Sequence, residues 1–335
     1  MSLKLTIVDQ TPVHGDRPVR EAPNSSVELA RACDELGYHR YWLAEHHNSI
    51  QFANPCPEIM VARVASATRN MRIGSGGVML THYSPYKVAE VFRMLASLFP
   101  ERIDLGIGRA PGGTPLASAA LAAPYEQLEE DTFPQQAAEL CAFLRNEYPE
   151  RHPYSRLRCL PDNDPAPQLW MLGSGGGSSS LAGYLGMGLS VAKFIAPQAC
   201  SPAIFANYER HFREAGHEHK PARMLALAVI CAETEEEARR IASTAAWRKM
   251  MTGRGAREPL LSPEEIDQRR RQLSPGDLAE LDATRDAMVV GTPEQCWEQF
   301  HAHARDYQLD ELGLVTVTHS FADRLNSYRL LAAAR

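Results

Sequence analysis

Apolar residues along the chain recur at a spacing of two and then at three to four, over and over. Residues 3–8 alternate as a strand does, and Leu29, Cys33 and Leu36 then share one helical face. Ser25-Ser26-Val27-Glu28 has the S-x-x-E spacing of a capping box, which puts the helix start there, and Gly37 ends the helix. A second apolar run at 41–44 precedes a helix beginning near Pro57, with Ile59, Val61, Val64 and Ala65 at helical spacing. The strand expected at 71–80 leads to a helix opened by Ser84-Pro85, whose Val88, Val91, Phe92, Leu95 and Leu98 follow the i, i+3, i+4, i+7 rule. Further strands are expected at 102–107, 168–172, 189–194, 224–231 and 312–318. Helices are expected at 133–144, 178–185, 202–215, 234–250, 292–307 and from Phe321 onward.

Eight strands, each followed by helix and apolar enough to be covered on both faces, predict an α/β fold: a single-domain (β/α)₈ TIM barrel over residues 1–335. Such a barrel needs about 250 residues, so the surplus is expected as insertions in the rim loops, at 111–131, 148–167 and, most prominently, about 250–288. The last is rich in Arg and Glu and carries Pro263 and Pro275. It reads either as short helices forming a lid or as a solvated excursion, with Arg269-Arg270-Arg271 on a solvated helical face.

Composition narrows the function. The 335 residues carry 35 Lys+Arg against 41 Asp+Glu, a net charge of −6, which disfavours nucleic acid or an anionic membrane as the main partner and leaves room for a small anionic ligand. No apolar run approaches the roughly 18 residues of a membrane span, and the first residues read as a strand rather than a signal peptide, so a cytoplasmic protein is expected. The seven cysteines are scattered without a C-x-x-C pair. They are expected as reduced thiols with no catalytic role.

In a barrel of this kind chemistry gathers where the strands end, which ranks the candidates. After strand five, Gly173-Ser174-Gly175-Gly176-Gly177-Ser178 runs straight into a helix and offers backbone amides, hydroxyls and a positive dipole end, a combination suited to phosphate, although such turns also serve as loop punctuation. Arg109, after strand four, is either a bidentate phosphate contact or a surface arginine. Residues 106–111 brush against the dinucleotide G-x-G-x-x-G pattern, but Pro111 stands at the last glycine position and a barrel repeat surrounds it, which excludes a Rossmann site. Gly74, Gly76 and Gly77 inside a strand signal a bulge beside a flat ligand, or a packing bend. Glu45-His46-His47 after strand two admits a base, metal ligands or hydrogen-bonded rim histidines. Adjacent side chains diverge, so the triplet makes a poor chelator and no metal site is assigned.

Together these clusters resemble the bacterial luciferase-like flavin monooxygenases over essentially the whole chain. The likeness is carried by Tyr41-Trp42-Leu43-Ala44-Glu45-His46-His47-Asn48, by Gly74-Ser75-Gly76-Gly77-Val78-Met79-Leu80, by residues 102–112 and by Leu172-Gly173-Ser174-Gly175. The resemblance implies FMN as cofactor, with phosphate held by Arg109, Gly173, Ser174, Gly175, Gly176 and Ser178. It further implies ring contact by Ser75 and Gly76, a non-proline cis peptide in the strand-three bulge, His46 as catalytic base, and Glu45 and His47 in support. Three departures stand out. Gly108 occupies the place of luciferase's reactive cysteine, Val191-Ala192-Lys193-Phe194 replaces a strand-six end that commonly carries histidine, and residues 114–123 lack an arginine.

The activity implied is transfer of one oxygen atom from O₂ to a small organic substrate, with reduced FMN supplied by a separate NAD(P)H-dependent flavin reductase, on a homodimer paired through outer helices. Two alternatives are a deazaflavin-dependent oxidoreductase on the same fold and a non-catalytic flavin-binding protein.

Overall fold

Strands buried on both faces must be sandwiched between a packed interior and a layer of helices, and most of the strand residues here are buried, β5 being the most open. The computed structural model describes residues 3–124, 131–148, 150–162 and 166–335. In chain order the strands are β1 (Lys4–Asp9), β2 (Arg40–Leu43), β3 (Arg72–Met79), β4 (Ile103–Gly108), β5 (Gln168–Gly173), β6 (Gly188–Ala192), β7 (Arg223–Cys231), β8 (Val289–Gly291) and β9 (Glu311–Val315). Each of β1 to β6 pairs in parallel with its successor, β7 pairs with β9, and β9 returns to β1. Eight strands therefore close into a (β/α)₈ barrel. β8 lies outside the ring, extending the far end of β7 through Val229 to Cys231. Its three residues are too few to show a period, which is why the pattern of the chain does not reveal it.

The helices are α1 (Ala22–Glu35), α2 (Pro57–Ala67), α3 (Pro85–Leu98), α4 (Pro115–Ala122), α5 (Phe133–Arg145), α6 (Gly177–Leu185), α7 (Ala203–Glu214), α8 (Glu235–Gly253), α9 (Pro263–Arg270), α10 (Pro275–Asp286), α11 (Pro293–Tyr307) and α12 (Phe321–Ala333). Proline, which has no amide hydrogen to lose there, opens many of them. The capping box expected at Ser25 is not one. α1 begins at Ala22-Pro23, so Ser25 and Glu28 lie inside it, where both take hydrogen bonds from Arg17 Nη1 (3.0 and 2.8 Å). The strands expected to reach residues 194 and 318 stop at Ala192 and Val315, where the backbone turns onto the rim.

The expected insertion at about 250–288 contains α9 and α10, packed on α8 and tied to the rim. Thr244 Oγ1 donates to Leu261 O (2.9 Å), Trp247 Nε1 to Glu258 Oε1 (2.6 Å), and Gln51 Nε2, in the loop after β2, to Glu258 O (2.7 Å). Of the other two, α4 occupies part of 111–131. Residues 125–130, 149 and 163–165 lie outside the described residues.

The lower half of the barrel is filled by charge. Arg40 of β2 donates through Nη1 to Asp104 Oδ2 of β4 and through Nε to Glu311 Oε1 of β9, both at 2.8 Å. Arg72 of β3 reaches Asp104 Oδ1 at 2.7 Å, and Trp42 Nε1 donates to Asp104 Oδ2 at 3.0 Å. Above this network the rings of Trp42 and Trp170 pack edge to face with centroids 5.1 Å apart. Gly188 is required by that pair, since a Cβ there would stand 2.6 Å from the Trp170 ring.

Removal of one partner from a buried ion network leaves the other charges uncompensated. Asp104→Ala is accordingly expected to destabilise the protein by about 3–5 kcal/mol, read from the urea midpoint at constant m-value.

Candidate functional site

With its lower half plugged, the barrel opens at the C-terminal ends of its strands, on a cavity of about 600 Å³. Lining residues come from β1 (Val8, then Gln10), from the ends of β2, β3 and β4, from the loop after β5, and from β6 and β7.

The loop after β5 supplies the most open backbone. A Cβ added at Gly175, Gly176 or Gly177 would meet nothing within 4 Å, and α6 starts at Gly177, with Ser179 N already turned back to Gly176 O (3.2 Å) and the amides ahead of it left for a ligand. The hydroxyls of Ser174 and Ser178 line the cavity and take no hydrogen bond from, nor give one to, any other described residue. Gly173 lets Ser178 fold back, because a Cβ there would fall 2.1 Å from Ser178 Oγ. Arg109 reaches the same cavity from the end of β4. Its side chain is 65% exposed, and its Nη1 meets Asp131 Oδ2 at 3.2 Å, a surface contact weak enough for a multiply charged anion to displace.

On the neighbouring strand the register of β3 against β4 shifts between Gly76 and Val78, and the Gly76–Gly77 peptide is cis. Both glycines present bare backbone to the cavity. Side chains are excluded at each, since a Cβ at Gly76 would stand 2.8 Å from Trp42 Cβ and one at Gly77 would stand 2.8 Å from Gly106 O. Ser75 is the expected site residue that the structure does not bring to the cavity. It is fully buried, its Oγ donates to Gly106 O (2.8 Å) and accepts from Gly106 N (3.1 Å), and so it stitches β3 to β4 instead of facing a ring. Gly108 does face the cavity, with Met79 Cε 3.3 Å from where its Cβ would be, leaving little space for a larger side chain.

Glu45, His46 and His47 separate into different roles. The Glu45 carboxylate is buried and fully engaged. Oε2 accepts from Met79 N (2.9 Å), while Oε1 accepts from Tyr83 OH (2.8 Å) and His47 Nε2 (2.6 Å). It thereby joins the ends of β2 and β3 and holds His47 to the wall, and His47 N in turn donates to Gly112 O of the loop after β4 (2.8 Å). His46 turns the other way, against Phe52, with ring centroids 4.6 Å apart. Its buried Nδ1 has no partner, and burial, followed by the positive charge of Arg248, pushes its pKa down to about 4. With His47 committed to Glu45, the two histidines share no metal-binding geometry. Among the described residues no three His, Cys, Asp or Glu side chains converge on a cation.

Three residues in or beside the cavity escape strand-end reasoning or alter it. Gln10 directly follows β1, and its position alone marks it. At the end of β6, Phe194 lines the cavity, while Lys193 places its Nζ 5.2 Å from the Tyr307 ring. Arg248, which borders an adjoining recess and not the cavity itself, comes from α8, so no strand-end rule could have found it.

The family model described as luciferase-like monooxygenase matches residues 3–310. A Bacillus subtilis (strain 168) protein described as N-acetyl-S-alkylcysteine monooxygenase is 32% identical, over 99% of this chain and 98% of its own length. Among solved structures, that of apo-MsnO8 superposes with a TM-score of 0.88 at 37% identity, covering 99% of this chain and 98% of that one. Two more distant structures show likeness of fold alone. One is the oxygenating constituent of 3,6-diketocamphane monooxygenase from Pseudomonas putida in complex with FMN (TM-score 0.74, 18% identity, 99% and 97% coverage). The other is an F420-dependent secondary alcohol dehydrogenase bound to an F420–acetone adduct (TM-score 0.68, 15% identity, 100% of both chains).

The His46 ring is expected to stay neutral in the folded protein until the pH falls to about 4, as read from its NMR titration. The unfolded chain takes up that proton near the ordinary value of about 6.5, so His46 favours the folded state fully above that pH and loses this contribution as pH falls toward 4. His46→Gln should therefore lose less stability than the unmodified protein between pH 6.5 and 4.

Proposed function

The chain belongs to the luciferase-like monooxygenase family, and on that premise we propose that it binds reduced FMN and uses O₂ to oxygenate a small organic substrate. One observation carries this reading. Two unpaired hydroxyls and the open amides before α6 face the same cavity as the bare backbone of Gly76 and Gly77, so donors for a phosphate and a flat surface for a ring share one space.

When bound, the flavin supplies the activation of O₂, which no side chain can provide. The phosphate is held by Ser174, Ser178, the amides of Gly173, Gly175 and Gly176, and Arg109 once it leaves Asp131. The bare backbone of Gly76 would meet the ring, and Ser75 supports that backbone by fixing β3 to β4. Glu45 is a positioning residue, keeping Met79, Tyr83 and His47 in place so that the wall beside the ring is rigid. His46 is neutral at working pH and can take a proton at a ring nitrogen from the reacting groups, with hydrophobic walls at Phe52 and Phe194 limiting water. The exposure of Arg109 suits a flavin that arrives already reduced and leaves after turnover, delivered by a separate NAD(P)H-dependent reductase.

The fold shared with an F420-dependent dehydrogenase favours a second reading, hydride transfer by a deazaflavin without O₂. The absorption spectrum on titration with each cofactor separates the two.

FMN is expected to bind more tightly than riboflavin, which lacks the phosphate. Arg109→Ala should weaken FMN by about tenfold and leave riboflavin almost unchanged, as measured by flavin fluorescence. Equal affinity for the two flavins would overturn the phosphate assignment. On any substrate turned over, His46→Ala is expected to lower kcat by about 10²–10⁴, and unimpaired turnover would remove His46 from the proton-transfer role.

A further inference from the structure

Each of the buried arginines Arg40, Arg93 and Arg324 holds a carboxylate, even where one of its nitrogens stays unpartnered. Arg40 pairs with Asp104 and Glu311, and Arg324 pairs with Asp9 at 2.6 Å. Arg248, on the inward face of α8, has its Nε buried without a partner, and its guanidinium makes no hydrogen bond or ion pair among the described residues. Its Cζ lies over the Phe52 ring at 5.2 Å, and that ring also packs against His46, whose own buried Nδ1 is unpartnered. Carboxylates of the same rim are committed elsewhere: Glu45 to Met79, Tyr83 and His47, Glu258 to Trp247, and Asp9 to Arg324.

A desolvated cation with no counter-charge is unfavourable, and burial has already pushed its pKa down to about 10. Arg248 borders a recess of about 30 Å³ with Val315, Val317 and Met288. Phe194 lines both this recess and the main cavity, so the guanidinium stands at the cavity's margin. The Arg248 recess is walled by Ala228 to Ile230 of β7 and Val315 of β9, with Phe52 of the loop after β2 nearby, and β6 separates this sector from β5 and its phosphate loop. The unmet charge thus stands in a different sector of the mouth from the flavin phosphate.

We propose that Arg248 is the anion-recognising residue of the substrate site, and that the substrate is a small monocarboxylic acid with an apolar body. The guanidinium fork matches the two oxygens of a carboxylate while Lys249, the other cation of the recess, gives its Nζ to Phe194 O (2.6 Å), and the adjoining cavity walls of Val8, Phe194 and Ala226 receive an apolar chain. The proposal rests on the flavin-oxygenase reading for the fate of the bound acid, but not for the binding itself.

The test compares hexanoate with hexanamide, equal in shape and different in charge, by calorimetry at pH 7. The full chain is expected to prefer the acid by about tenfold or more, Arg248→Lys to keep part of the preference, and Arg248→Met to lose it. In the unmodified protein hexanoate should also raise the His46 pKa from about 4, read by NMR, while hexanamide leaves it in place. Equal affinity for acid and amide, binding of neither, or an intact preference in Arg248→Met would overturn the proposal. Should Arg248→Met fail to fold, the acid–amide comparison and the His46 titration of the unmodified chain decide alone. FMN titration in parallel separates the two readings. Acid preference without FMN binding sinks the flavin assignment and keeps this one, while FMN binding without acid preference sinks only this one.

Discussion

Closure of eight parallel strands into a ring is the constraint on which everything else in this molecule rests. A closed ring has no edge to pair elsewhere, and its interior must be filled or become a site. Here Arg40, Arg72, Asp104 and Glu311 fill the N-terminal half, capped by Trp42 and Trp170. The space left over lies at the opposite mouth, where the strand-end glycines keep it clear of side chains. Charge inside the barrel is therefore what positions the cavity, and it is tolerable only because its members satisfy one another.

A single carboxylate organises that mouth. Glu45 gathers an amide from the end of β3, a phenol from the segment that follows it, and the imidazole of His47, and His47 extends the connection to the loop after β4. Three consecutive rim segments are made rigid by one buried group. The neighbouring His46 is released from any such duty, and its isolation against Phe52 keeps it neutral. Adjacent residues on a strand end face opposite ways, so the same tripeptide provides both the clasp and the free base.

The cavity is polar in two places with different characters. On the β5 side its donors are amides and hydroxyls with an exposed arginine, suited to a group that exchanges with solvent. Beside β7 and β9, next to Phe52 of the loop after β2, stands a guanidinium among aromatic and aliphatic walls. The insertion helices α9 and α10 contribute to the second character by packing on α8 and tying its neighbours to the loop after β2 through Glu258.

The architecture was legible in the chain because buried parallel strands and amphipathic helices leave repeating apolar periods, and because strand ends in such a barrel mark the rim. That reasoning reached Glu45, His46, Gly76, Arg109 and the 173–178 turn, all of which line the cavity. It grouped Ser75 with Gly76 by adjacency, whereas alternation along β3 gives Ser75 the face opposite to Gly76 and spends its hydroxyl on Gly106. It also set the start of α1 too late, because Arg17 claims the two residues that would have formed the cap. Arg248 lay beyond its reach altogether. Whether a charge is paired depends on groups brought together from distant parts of the chain, and only the closed, packed ring decides which of them remain without a partner.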